Sequence, residues 1–192
     1  NSTKFWHEKF RYHHVNILSE DPIFELSKLP ILTKHEVQKE SKNIVNNKYI
    51  KSSTIFNTSG TTGSGLSLPV TKYSETYTWL KWWYFRKKHG IKFNEKCAVF
   101  AGLSFLDINK RKPPYWMLEI SSNQLRISTP HLNINTVQII SEKIKNEKIR
   151  WIHGNPSLIA AYAYLCKIKK IDMNNITIIS IGAESLLMNQ KK

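Results

Sequence analysis

What most restricts the fold of this chain is an alternation in its second half. Short β-branched or apolar runs are separated by stretches of helical period. Cys97–Ala101, Gln124–Ser128, Arg150–His153 and Ile176–Ile181 have the length and composition of strands, and Asn135–Glu147 carries Val137, Ile140 and Ile144 on one helical side. Asn155 followed by Pro156 predicts a cap and a first-turn proline, opening a helix through about Lys167. Strands that alternate with helices ask for a mainly parallel sheet flanked by helices, so the fold class read here is α/β. The segment between Gly102 and Gln124, which holds Pro113-Pro114, reads as irregular. No internal repeat or flexible linker stands out.

The first half reads differently. Lys4–Val15 is aromatic and basic and shows no helix cap, and Leu29-Pro30-Ile31-Leu32 is an extended step. Thr33 and Glu36 have the spacing of a capping box and predict a short helix. Ser53–Asn57 and Leu68–Thr71 read as two strands of a hairpin. Tyr73–His89 is helical, with Gly90 as its terminator. The three- and four-residue spacing of Trp79, Trp82 and Trp83 assigns them to the core, ahead of a base-stacking platform. Two regions follow: an N-terminal helical segment over 1–52 and an α/β core over 53–192. A new helix is expected after Glu184, in Ser185-Leu186-Leu187. Both ends of the chain are abrupt, as in part of something longer.

Between the two hairpin strands lies Thr58-Ser59-Gly60-Thr61-Thr62-Gly63-Ser64-Gly65, which packs five hydroxyls and three glycines into eight residues without a charge. Such a segment has almost no apolar area to bury. It can instead wrap an anion, because glycines reach positive φ, successive N–H groups converge, and hydroxyls add donors. Two familiar phosphate loops do not match. Gly60, Gly65 and Ser67 have Walker-like spacing, but Leu66 stands where the phosphate-binding lysine belongs. Gly63-Ser64-Gly65 lacks the third glycine and the following helix of a dinucleotide fingerprint.

Net charge is +15. Most of the excess is lysine scattered along the chain, with Arg86-Lys87-Lys88 and Lys110-Arg111-Lys112 the densest triplets. This argues for general surface charge and against a dedicated nucleic-acid face. Cys97 and Cys166 match no metal spacing and read as two buried thiols in a reducing, cytoplasmic setting. His7, His13 and His14 have no evident metal partners, so no metal site is predicted. No run approaches the roughly 18 apolar residues of a membrane span.

Taken with its neighbours, the hydroxyl- and glycine-rich loop resembles the phosphate-binding motif of adenylate-forming enzymes. Within them the chain is similar to the phenylacetate–CoA ligase group, which includes capsular polysaccharide biosynthesis proteins of the CapK type and coenzyme F390 synthetase-like proteins. Three further segments in the right order carry the resemblance: Leu29-Pro30-Ile31-Leu32-Thr33-Lys34, Gly154-Asn155-Pro156-Ser157-Leu158, and Ser180-Ile181-Gly182-Ala183-Glu184. The likeness spans about Leu29 to Leu187. Gly65 and Leu66 depart from it, since many members have proline and lysine there. The group's ribose-binding aspartate, hinge and late catalytic lysine have no counterpart in this chain.

The resemblance implies the N-terminal portion of an adenylating enzyme, with a hairpin carrying the phosphate loop. It implies ATP with Mg2+, a small carboxylate substrate, and an acyl-adenylate as product. It admits CoA as acceptor and a homodimer as assembly. Thr58, Ser59, Gly60, Thr61, Thr62, Gly63 and Ser64 would meet the phosphates, with Thr61 and Thr62 foremost. Gly182, Ala183 and Glu184 would border the adenine, and His153 and Asn155 the acyl pocket. No catalytic residue is assigned. Each has a plainer reading: a helix-start carboxylate for Glu184, a backbone-bonded strand-end imidazole for His153, a helix cap for Asn155. The competing function is a basic, non-catalytic nucleic-acid-binding or assembly module.

Overall fold

The computed structural model describes residues 3–58, 65–102 and 104–191. Its backbone contacts divide into two units, Asn1–Tyr84 and Phe85–Lys192.

In the first unit the helices begin where short polar side chains can satisfy orphan amides. Helix α1 (Lys4–Tyr12) is capped by Thr3, whose Oγ1 accepts the Trp6 amide at 3.5 Å. The sequence reading saw no cap here, because Thr3 stands at the very start of the chain with no apolar period before it. Helix α2 (Pro22–Ser27) starts with proline in its first turn, and Asp21 accepts the Phe24 amide at 3.0 Å. The predicted capping box closes on α3 (Lys34–Lys39): Thr33 Oγ1 accepts the Glu36 amide at 3.3 Å, and the Glu36 carboxylate accepts the Thr33 amide at 2.9 Å. Two single turns follow, α4 (Ser41–Ile44) and α5 (Asn47–Ile50). The hairpin forms as read. Strand β1 (Ser53–Asn57) pairs antiparallel with β2 (Ser67–Thr71), Ser53 opposite Thr71 and Asn57 opposite Ser67.

Helix α6 (Lys72–Lys88) follows directly and ends before Gly90, which supplies the positive φ of 80° that terminates it. Its aromatics correct the sequence reading. Trp79 and Trp82 are 48% and 44% exposed, and Trp83 is half-buried. The reason lies in their arrangement. Residues 79, 82, 83, 84 and 85 encircle the helix, so no single face can bury them together. Arg86, read as part of a surface triplet, is instead buried, with its guanidinium 4.9 Å from the centre of the Trp151 ring.

The second unit is built on five strands: β3 (Cys97–Phe100), β4 (Trp116–Glu119), β5 (Gln124–Ile127), β6 (Trp151–Gly154) and β7 (Ile178–Ile181). Their order in the sheet is β4-β5-β3-β6-β7. All neighbours are parallel except β4, which runs antiparallel to β5. Strand β4 falls in the stretch read as irregular, since Trp-Met-Leu-Glu has no clear alternation to announce it. Helices α7 (Val137–Asn146) and α8 (Pro156–Ile168) make the crossovers and meet through Ser141 Oγ and Tyr162 OH at 2.8 Å. Phe100, Leu125, Ile140 and Ile144 fill the core between sheet and helices. Cys97 and Cys166 are both free and buried, and desolvation pushes the Cys97 thiol up to about 12. In place of the expected helix after Glu184 there is a single 3-10 turn, Met188–Gln190. The fold is therefore α/β with a mostly parallel sheet.

No described helix is long and apolar enough to cross a membrane.

Candidate functional site

The predicted site residues fall in two places, one in each unit. In the first unit, Ser59, Gly60, Thr61, Thr62, Gly63 and Ser64 lie outside the described residues. Thr58 and Gly65 are described and form the neck of the hairpin. The Thr58 amide donates to the Leu66 carbonyl at 2.9 Å, and Thr58 Oγ1 accepts the Leu66 amide at 2.9 Å. Strand pairing thus continues one residue beyond the ladder, with a side-chain oxygen in place of a carbonyl. The Thr58 hydroxyl keeps its proton for another acceptor. A Cβ on Gly65 would stand 2.2 Å from the Thr58 carbonyl oxygen, so only glycine fits so tight a neck. An apolar groove of about 520 Å³ runs beside it, lined by Val37, Ile44, Tyr49, Leu66 and Leu68. Among the described residues its lining is uncharged, with Gln38, Ser41 and Asn46 as polar members.

In the second unit the parallel strands β5, β3, β6 and β7 all end on the same edge of the sheet. The chain leaves β3 for β5 on one side and returns through α7 to β6 on the other, so the order reverses between β3 and β6. Ligands of open α/β sheets bind outside the carboxyl ends of the strands at such a reversal. The segments that emerge there are Gly102, Ser128–His131, Asn155–Ser157 and Gly182–Glu184. They include Asn155, Gly182, Ala183 and Glu184 of the predicted site residues, and His153 lies just inside the end of β6.

His153 is the penultimate residue of β6, in register with Ser180 of β7. Its Nδ1 lies 2.9 Å from Ser180 Oγ and 3.2 Å from the Ser180 carbonyl oxygen. Trp151 Nε1 donates to the same hydroxyl at 2.8 Å. Ser180 therefore ties the two residues of β6 that share a face. Burial lowers the His153 pKa, the nearby Arg86 charge lowers it further, and the bond to the Ser180 carbonyl opposes both. The imidazole is held toward its neutral form. Gly154 allows this edge to close. A Cβ there would lie 2.0 Å from the Phe100 carbonyl oxygen, which instead accepts the Asn155 amide at 2.9 Å.

Asn155 occupies the cap position of α8 but makes no capping bond of its own. This corrects the plainer of its two readings. Its Nδ2 donates instead to Glu184 Oε1 at 2.9 Å, while Glu184 Oε2 accepts the Ser157 amide at 3.2 Å. Glu184 is thus the carboxylate that caps α8. Hydrogen bonds from the Ser157 hydroxyl, from Asn155 and from the Ser157 amide lower its pKa. Between Gly182, whose amide donates to the Gly154 carbonyl at 3.1 Å, and Glu184, Ala183 takes a left-handed φ of 68°. A non-glycine residue in that region is uncommon and is held there by its surroundings.

Ser180 and Ser157 were missed as participants, although both stand inside motifs that were singled out. The signal was there in Ser180, a hydroxyl set among Ile178, Ile179 and Ile181. His131 was also missed. It is buried in the 3-10 turn Thr129–His131 that follows β5, its Nδ1 2.7 Å from Ser128 Oγ and its ring stacked on Tyr115, and its Nε2 has no partner among the described residues. Those residues contain no group of three or more metal-ligating side chains.

No protein-family model matches the chain. Protein CapK of Staphylococcus aureus is 24% identical over 140 residues, which cover 71% of this chain and 30% of that protein. Crystal structures of 2-hydroxyisobutyryl-CoA ligase share the fold at low identity. The thioesterification state, in complex with 2-HIB-AMP and CoA, superimposes with a TM-score of 0.56 at 13% identity, over 94% of this chain and 39% of the ligase. An open conformation with the same ligands gives 0.55 at 12% identity, over 95% of this chain and 43% of the ligase. The chain therefore has the fold of part of an adenylate-forming ligase and is similar in sequence to part of CapK. It spans less than half the length of the proteins it matches.

Proposed function

We propose that this chain belongs to an AMP-forming ligase that activates a small carboxylic acid with ATP and passes the acyl group to a thiol such as CoA. The observation that carries the reading is the carboxyl edge of the β6–β7 pair. His153, Asn155, Gly182, Ala183 and Glu184 stand together there, at the end of a parallel sheet with the ligase fold.

In the proposed reaction the acid's carboxylate oxygen attacks the α-phosphorus of ATP, the bond to the β-phosphate bridging oxygen breaks, and pyrophosphate leaves. Charge grows on phosphate oxygens, so preorganised donors matter most. Thr58, Ser59, Thr61, Thr62 and Ser64 supply hydroxyls, and Gly60 and Gly63 let amides face the phosphates. Gly182, Ala183 and Glu184 border the adenine. His153, kept neutral by burial, and Asn155 border the acid without placing a positive charge beside it. Mg2+ would arrive on the triphosphate, since the described residues offer no carboxylate cage for it. The supply of activated acid to a surface polysaccharide is part of this proposal on the likeness to CapK alone.

Calorimetric titration of Mg-ATP into the chain tests it. Affinity should fall about tenfold or more in Thr61→Ala/Thr62→Ala, as expected when donors to a charged group are removed. Equal affinity in the double variant would remove the loop from the account.

A second reading is favoured by α6. Tyr73 and Tyr77 stack in parallel with centroids 6.3 Å apart, Lys81 sits 4.5 Å over Tyr77, and both rings are exposed. Aromatics interleaved with lysines suit single-stranded nucleic acid. Affinity for an oligonucleotide that falls steeply with added salt would support it.

A further inference from the structure

Glu184 joins two segments to which the proposed function gives different tasks. Its carboxylate holds Asn155 Nδ2 at 2.9 Å and the Ser157 amide at 3.2 Å. Two residues earlier, the Gly182 amide holds the Gly154 carbonyl at 3.1 Å. The adenine-side turn, 182–184, is therefore fastened twice to the acid-side junction, 154–157. The turn itself has little freedom to relax, because Ala183 lies in the left-handed region. Any movement of the turn on nucleotide binding must carry Asn155 and the first turn of α8 with it, or break two hydrogen bonds to a charged oxygen pair.

We infer that this clasp couples the two halves of the site: Glu184, acting through Asn155 and the start of α8, is a positioning residue that makes nucleotide binding and acid binding depend on each other. The inference rests on the proposed adenine and acid assignments and adds to them a regulatory link. Such a link is reciprocal, so whatever the nucleotide does to acid affinity the acid does to nucleotide affinity. Asn155, Ser157 and Glu184 all lie outside the buried core. Cutting the clasp should therefore change communication and leave the fold intact. The clasp carboxylate is charged at neutral pH, and the hydrogen bonds it accepts from Ser157 and Asn155 favour that form further.

The test uses AMP alone as probe, titrated by calorimetry into the full chain as wild type, Asn155→Ala, Glu184→Gln and the double variant, with melting temperatures measured alongside. Asn155→Ala should weaken AMP about fivefold or more although Asn155 is not part of the adenine strip. Glu184→Gln should weaken it comparably. The double variant should be no weaker than the worse single one, the signature of two residues acting along one link. Hydrogen exchange at the Ser157 amide should slow when AMP binds to the wild type, and this slowing should vanish in Glu184→Gln. A merely structural role would move the melting temperature and leave that difference in place. AMP affinity indifferent to Asn155→Ala, or additive losses in the double variant, overturns the coupling while leaving the nucleotide site standing. A wild-type chain that takes up no AMP overturns the nucleotide reading itself, and the coupling with it.

Discussion

Phe100, Ile140 and Ile144 of the second unit are fully enclosed, while across the first unit Glu25 is the only described residue that is buried. Ile17, Leu18, Ile23 and Ile31 of the first unit are each at least 70% exposed. The first unit holds fewer apolar residues for its length, 30 of 84 against 48 of 108, and it also spaces them differently. In α7, Val137, Ile140 and Ile144 recur on one side and meet a sheet that is apolar toward them. In α6 the aromatics go all round, and the first-unit helices are too short to present a continuous stripe. Local signals (Thr3, Asp21, the Thr33 box) define the first unit, and packed side chains define the second.

The pair of substitutions that would most readily break this contrast is Phe100→Ala and Phe56→Ala. The first should cost about 3–5 kcal/mol, as a large core side chain removed from a closed interior. The second, from a strand residue 46% exposed, should stay within about 0.5 kcal/mol. Denaturant unfolding followed by tryptophan fluorescence reads both, and equal losses would erase the distinction. Next in size is Gly154→Ala. The added Cβ has backbone 2.0 Å away and nowhere to go, so about 3 kcal/mol should be lost by overpacking at the β3–β6 contact. Thr33→Ala should cost about 1 kcal/mol, confined to α3 and visible as faster amide exchange there, because it removes a cap and no packing.

The smallest expected effect is a pH dependence of the second unit. The folded chain holds His153 below its ordinary value of 6.5. The unfolded chain therefore binds the proton first as pH falls. Stability is fully present above about 6.5 and is lost as pH drops toward the depressed native value. His153→Gln should flatten that slope, measured as melting temperature against pH. An unchanged slope would assign the dependence to other groups.

The strands β3, β5, β6 and β7, both crossover helices and the hairpin are legible in the sequence, because each is a periodic run bounded by a cap, a glycine or a proline. Strand β4 is not, since its pairing with β5 is a tertiary choice that Trp-Met-Leu-Glu does not dictate. The exposure of α6 is not legible either. Spacing can say that Trp79, Trp82 and Trp83 are near one another, but not whether anything covers them. In the site, the sequence order brings forward His153, Asn155 and Glu184 singly. The bonds that join them depend on the register that sets His153 beside Ser180, a relation between residues 27 apart in the chain. Asn155 shows the limit plainly: a good cap residue at a cap position gives up that bond to a carboxylate arriving from another strand.

The central claim is that the carboxyl edge of β6 and β7 receives an adenine nucleotide. Its most direct test is an amide NMR titration of the chain with AMP. The account predicts that the largest shift changes fall at residues 153–157 and 180–184. Unmoved resonances over both segments, with changes confined to scattered lysines and abolished by salt, would contradict it.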